Sequence, residues 1–186
     1  MKRVLIPLAI PLAPGFEEVE ALAVVDILRR AGAEVVMAGT SDGVITGRNK
    51  INVVPDIGMD TADPAVFDMI VLPGGAAGTE NLKKDIRVRK AVSALMSKGG
   101  FVAAICAAPA VLSAIGVTEG RTVTSHPSVR HELKAGKVSD DRVVKDGNII
   151  TSQGPGTALE FAFALVEALY GPDKVKEVNK GVLARL

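Results

Sequence analysis

A chain of 186 residues, 48 % hydrophobic and 23 % charged with a net charge of +1, can bury a sizeable core and lacks the composition of a disordered segment. Balanced charge gives no broad field for nucleic acid or an anionic membrane, and 3 % aromatics without Trp argue against base-stacking platforms, so neither partner is expected. One cysteine excludes an internal disulfide and cannot complete a typical zinc site with only two histidines, which points to a reduced, cytoplasmic compartment and no metal.

The opening MKRVLIPLAIPLA has the basic start and apolar run of a signal peptide, but prolines interrupt it and no clear A-x-A site follows. It is expected to be structure, with RVLIPLA (3–9) as a strand covered on both faces. EEVEALAVVDILRRAG (17–32) has helical spacing, with acids in its first turn and Arg29, Arg30 and Gly32 closing it. EVVMAGT (34–40) is the next strand, which completes a β-α-β unit of a parallel sheet. ITGRNKINVVPD (45–56) has the pattern of short extended segments on the flank.

FDMIVLPGG (67–75) is a strand ending in a glycine pair. DIRVRKAVSALMSK (85–98) is a helix with Val88, Val92 and Leu95 on one face, stopped by Gly99 and Gly100. Strand FVAAI (101–105) leads into helix APAVLSAIG (108–116), a run too short and too broken by Pro109 and Gly116 for a membrane span. RTVTSH (121–126) is a strand running into a short helix, and VVKDGNIITSQ (143–153) is a hairpin turning at Asp146-Gly147. GTALEFAFALVEALYG (156–171) and a shorter C-terminal helix close the chain. The pattern predicts a single domain over 1–186, an α/β protein built as a three-layer α/β/α sandwich on a mostly parallel, flavodoxin-like sheet.

Cys106 falls where an apolar strand gives way to a helix, on the side of a parallel sheet where ligands bind. Ala104, Ala107 and Ala108 permit the sharp turn of a nucleophile elbow, although its usual flanking glycines are missing. Backbone N–H groups at such a turn would favour a thiolate of lowered pKa. The other reading is a small buried hydrophobe, the usual fate of a lone cysteine. Gly74 and Gly75, ending the neighbouring strand, expose N–H groups as an oxyanion hole requires, or they form an ordinary turn. That segment has neither G-x-G-x-x-G nor a phosphate-binding lysine, which excludes nucleotide binding. Of Glu17, Glu18 and Glu20, two would begin the helix and one could enter the cleft; spacing does not say which.

APGFEEVEA (13–21), VDILRRAG (25–32), VLPGG (71–75), AAICAAPA (103–110), TSHP (124–127) and TSQGPGTALEF (151–161) together resemble the ThiJ/PfpI superfamily. Within it the resemblance is to the DJ-one-like branch of the parkinsonism-associated protein deglycase and bacterial YajL-like proteins, and it covers essentially the whole chain. It implies that Cys106 is the reactive cysteine, Glu20 its carboxylic partner and His126 an accessory group near the thiol. Gly75 and Ala107 would supply oxyanion N–H groups. Arg48 and Arg30 correspond to arginines near the family's site and dimer interface, or are solvated surface charge; His131 is surface.

Two departures accompany the resemblance. The first loop, PLAIPLAPGFEE (7–18), is longer than the family pattern by a residue or two. Ala107 stands where protease-like members have histidine, so the nucleophile-base pair of a peptidase is missing. The H-x-E pair of class I glutamine amidotransferases is also missing. The implied activity is a glyoxalase or deglycase acting without cofactor, metal or glutathione on 2-oxoaldehydes such as methylglyoxal and glyoxal, or on glycated protein side chains. The implied assembly is a homodimer. The rival is an oxidative-stress sensor or redox-regulated chaperone in which Cys106 is oxidised to sulfinate.

Overall fold

The computed structural model describes residues 7–186. Seven strands form one sheet: β1 (Pro7–Leu12), β2 (Glu34–Gly39), β5 (Ile57–Gly58), β6 (Met69–Leu72), β7 (Phe101–Ile105), β10 (Val143–Asp146) and β11 (Ile149–Ser152). Two-residue strands β3 (Ile45–Thr46) and β4 (Asn52–Val53) pair as a hairpin, and β8 (Thr122–Val123) pairs with β9 (Lys137–Val138). The helices are α1 (Glu18–Arg30), α2 (Ala76–Lys84), α3 (Ile86–Ser97), α4 (Pro109–Ile115), α5 (Ala158–Tyr170) and α6 (Pro172–Val182).

The sheet order is β10-β11-β7-β6-β1-β2-β5, with every pairing parallel except the β10–β11 hairpin. Successive strand residues serve opposite faces, as a period of two requires. Ile10, Leu12, Met69, Val71, Ala103 and Ile105 join the core under α1, α5 and α6. Ala9, Ile70, Leu72, Val102 and Ala104 join the core under α2, α3 and α4. The three-layer α/β/α sandwich follows from that division.

Most of the expected elements form where the pattern put them; three differ. The strand predicted at 3–9 runs from Pro7 to Leu12, with residues 3–6 outside the described part. Half of the apparently long first loop is therefore strand. Pro7 and Pro11 lack ladder donors, and the pairing of β1 with β6 is confined to Leu8 and Ala9 between them. The segment after His126 is a 3-10 helix, Pro127–Glu132.

Helix α2 has no counterpart in the sequence reading, because Gly78, Thr79 and Asn81 are poor helix formers. Tertiary packing overrides that preference. A Cβ at Gly78 would stand 2.7 Å from the Phe16 Cα and 2.8 Å from the Phe16 nitrogen, so only glycine lets α2 dock against the loop that leads to α1.

Gly78→Ala separates these two effects by sign. Helix propensity alone would stabilise the protein by about 1 kcal/mol. The collision with backbone should instead destabilise it by about 1–3 kcal/mol, measured by urea unfolding.

Candidate active site around Cys106

β7 is buried from Val102 onward and delivers Cys106 to the carboxyl edge of the sheet. The residue turns with φ +65°, a left-handed conformation that a side chain with a Cβ rarely adopts. Such strain costs about 1–3 kcal/mol and persists only when neighbours over-determine it. Here the Cys106 N–H donates to the Ser152 carbonyl at 3.0 Å, and its carbonyl accepts from the His126 N–H at 2.8 Å. The TSQGPG and TSHP segments thus grip the peptide on both sides. Cys106 itself is 7 % exposed.

Glu20 enters from the first turns of α1 and is completely buried. Its Oε2 accepts from the Gly74 N–H at 2.8 Å, while Oε1 has no hydrogen-bond partner of good geometry. The carboxyl is also within hydrogen-bonding reach of the thiol. Gly74 makes this proximity possible: a Cβ there would stand 2.6 Å from the Cys106 Cβ and 2.7 Å from Glu20 Oε2. Gly75, at φ +88°, could carry no side chain without meeting the Glu17 nitrogen at 2.8 Å.

The oxyanion donors divide differently from the glycine-pair reading. The Gly74 N–H is committed to Glu20, whereas the N–H groups of Gly75 and Ala107 lie close enough to the Cys106 sulfur to lower its pKa. Two donors therefore converge on the reacting atom, one from the α2 start and one from the elbow.

The electrostatics correct the expectation of a low thiol pKa. Burial, then the Glu20 charge and hydrogen bond, push the Cys106 thiol up to about 12 against the two N–H bonds. Burial likewise raises Glu20 to about 7, opposed by its bonds to Cys106 and Gly74. Both acids resist ionising in each other's presence, so they titrate as a pair.

Glu17 and Glu18 are buried too, at 5 % and 2 % exposure, so neither is a solvated helix start. Burial raises Glu17, while Arg48, with Nε 3.4 Å from Glu17 Oε2, opposes the rise. Arg48 is half exposed and close enough to lower the Glu20 pKa. Arg30 is elsewhere: it pairs with Asp26 at 2.8 Å. Ten residues along α1 from Glu20, it lies roughly 15 Å away, which removes it from the site of this chain.

His126 is linked to Cys106 by backbone, and its ring is exposed. Nδ1 accepts from the Ser128 N–H at 3.2 Å and contacts Ser128 Oγ at 2.7 Å. The neutral ring consequently carries its proton on Nε2 and is a donor there. His131 lies on the exposed surface.

A cavity of about 680 Å³ lies between α5, α6 and the segment before β10, lined by Asp141, Phe163, Glu167 and Val175 among others, and contains neither Cys106 nor Glu20. Volume is a weaker guide than chemistry here. Among the described residues, no group of three or more His, Cys, Asp or Glu could hold a metal ion, and no helix is long and apolar enough to cross a membrane.

The DJ-1/PfpI family profile matches residues 2–168. Protein dj-1beta of Drosophila melanogaster is 44 % identical over 175 residues, spanning 92 % of this chain and 94 % of that protein. Glutathione-independent glyoxalase DJR-1.2 of Caenorhabditis elegans is 37 % identical over 166 residues, 88 % of each chain. The crystal structure of Drosophila melanogaster DJ-1beta superposes with a TM-score of 0.95 at 41 % identity, covering 98 % of this chain and 100 % of that one.

A carboxyl raised from 4.5 to about 7 makes the folded state retain a proton that the unfolded state releases. Stability from this group is therefore present below pH 4.5 and lost as pH rises through about 7. Glu20→Gln should flatten that decline, and the difference between wild type and variant, followed by denaturant unfolding, should change by up to roughly 3 kcal/mol across the window.

Proposed function

The chain belongs to the DJ-1/PfpI family, and on that premise we propose that it is a glutathione-independent glyoxalase and deglycase, acting as a single-domain subunit on 2-oxoaldehydes and their early protein adducts. The observation that carries the reading is the convergence of a buried carboxyl and two backbone N–H groups on one thiol. The C. elegans relative's name supports the reaction class.

Above about pH 7 the Glu20–Cys106 pair carries one negative charge. With Glu20 charged the thiol is pushed up to about 12, so a thiolate near neutrality requires Glu20 to keep the proton. The Gly75 and Ala107 N–H groups, which lower the thiol pKa, favour the charge on sulfur against the single backbone N–H on the carboxyl. The thiolate attacks the aldehyde carbon of methylglyoxal, forming the S–C bond, while the carbonyl oxygen becomes an oxyanion under the Gly75 and Ala107 N–H groups. Glu20 gives that oxygen its proton, yielding a hemithioacetal. The resulting carboxylate removes the C1 hydrogen and returns it to C2 through an enediol, leaving a lactoyl thioester. Water cleaves the S–C bond, releasing lactate and the thiol. Arg48 stands at the Glu17 side of the site as a candidate for the second substrate oxygen. His126 would donate from Nε2 rather than act as base. Removal of free oxoaldehyde, or attack on a glycated side chain, accounts for the deglycase activity by the same steps.

With Ala107 after the nucleophile and His126 Nδ1 turned to Ser128, the thiol lacks the histidine base that peptidase chemistry pairs with it. The sensor reading draws on the same N–H pair, which would hold sulfinate oxygens as well as an oxyanion; turnover separates the two. A homodimer is supported by the exposed apolar residues Val19 of α1, Ile51 and Val54, with Ile51 tied to that helix through Glu18. The lone reduced cysteine supports a cytoplasmic setting.

Metal-free protein without glutathione should convert methylglyoxal to lactate over many turnovers, with a rate that rises through pH of about 7 as the pair ionises. Cys106→Ala and Glu20→Gln should each fall below about one-hundredth of that rate. Stoichiometric consumption without lactate would favour the sensor. Ile51→Glu should shift a wild-type dimer to monomer in sedimentation; a monomeric wild type would contradict the assembly.

A further inference from the structure

Glu18 has no place in the chemistry above, yet it is a buried carboxylate with three hydrogen-bond donors. Its Oε1 accepts from the Asn49 N–H at 2.8 Å and the Ile51 N–H at 3.3 Å, and its Oε2 from Asn49 Nδ2 at 2.9 Å. Burial alone would raise its pKa, but these donors and a backbone bond of its own hold it below the usual carboxylate range. The turn joining β3 to β4 is built around this carboxylate. A side chain at Gly47 would collide with the Glu18 carboxyl, and Lys50 takes a left-handed φ of +70° to bring the donors round.

The turn held in this way carries Arg48. Its backbone N–H donates to the Phe16 carbonyl at 2.9 Å, and its guanidinium faces Glu17. Asn49 Nδ2 bridges the two acids, reaching Glu17 Oε1 at 3.1 Å as well as Glu18. With Arg48 53 % exposed and its ion pair no shorter than 3.4 Å, the Glu17 contact alone is a weak anchor.

We propose that Glu18 is a positioning residue whose carboxylate clips the 47–51 turn onto α1, fixing the Arg48 guanidinium beside the site and giving Cys106 a preference for reagents that carry or develop negative charge. This rests on Cys106 being the reactive centre, not on the identity of its substrate. Loss of the clip lets Arg48 swing away and removes the positive charge from the Glu17 side of the site.

The test is the ratio of Cys106 alkylation rates by iodoacetate, an anion, and iodoacetamide, its neutral analogue, in the full-length protein. Glu18→Ala should lower the ratio about fivefold, the scale of one unit charge a few ångströms away in water, with the iodoacetamide rate little changed. Glu18→Gln, which keeps an Oε1 acceptor for the two backbone N–H groups, should recover most of it. Asn49→Ala changes an exposed turn residue and removes only its Nδ2 bonds to Glu17 and Glu18, remains available if the helix variant fails to fold, and should lower the ratio by a smaller factor. In an Arg48→Ala background, neither the Glu18 nor the Asn49 change should alter the ratio further. An unchanged ratio in folded Glu18→Ala or in Asn49→Ala, or a further fall in the Arg48→Ala background, would overturn the proposal. A wild-type thiol inert to iodoacetamide would instead overturn the premise that Cys106 is reactive.

Discussion

Two acids buried against one another cannot both give up their protons cheaply, and the architecture around Cys106 is arranged about that constraint. Glu20 has no water to stabilise its charge, and Cys106 has little. What the site provides instead is a small number of fixed N–H groups, one on the carboxyl and two on the sulfur. Their uneven distribution is the means by which a pair that loses one proton near neutrality can place the charge on its nucleophile. A dry, pre-aimed set of dipoles costs no reorganisation when charge develops on a substrate oxygen.

The rest of the fold supplies the closeness that this requires. Three backbone positions without a Cβ, at Gly74, Gly75 and Gly78, let α1, α2 and β7 approach more tightly than any side chain would permit. The strained turn at Cys106 is held from both sides by the β11 end and the His126 segment, so the strain is carried by segments distant in sequence. On the far side of α1, Glu18 and Asn49 bring the β3–β4 turn against the same helix. The groups that touch the thiol or its partner come from 13–21, 71–75, 103–110, 124–127 and 151–161, five of the six stretches in which the family resemblance resides; the sixth, 25–32, carries Arg30 away from the site.

How much of this was legible in the sequence depended on whether the cause was local. Alternation and helical spacing identified the strands and most helices because burial of alternate residues is a local pattern. Cys106 stood out because an apolar strand met small residues at a helix start. By contrast, α2 was missed because its glycine is selected by contact with Phe16, more than sixty residues away. The end of β1 was placed short of Leu12 because prolines are poor strand formers, and only the pairing pattern shows where their missing donors are tolerated. Among the three acids, spacing let two begin the helix and one enter the cleft without saying which; all three are buried, since their partners Gly74, Asn49 and Ile51 lie in other segments. The raised thiol pKa was equally invisible, because it arises from burial and then from Glu20, which only the fold brings to Cys106.

The central claim is that the pair's single charge resides on sulfur near neutral pH. The direct measurement is the ultraviolet absorbance of the thiolate across pH, with Cys106→Ala as the blank; the chain's one tyrosine and absence of tryptophan leave a small background. The account predicts thiolate absorbance already present near neutral pH, well below the value of about 12 to which burial and a charged Glu20 push the thiol. A thiol that stays neutral to beyond about pH 9, above the range of an ordinary cysteine, would place the charge on Glu20 and contradict it.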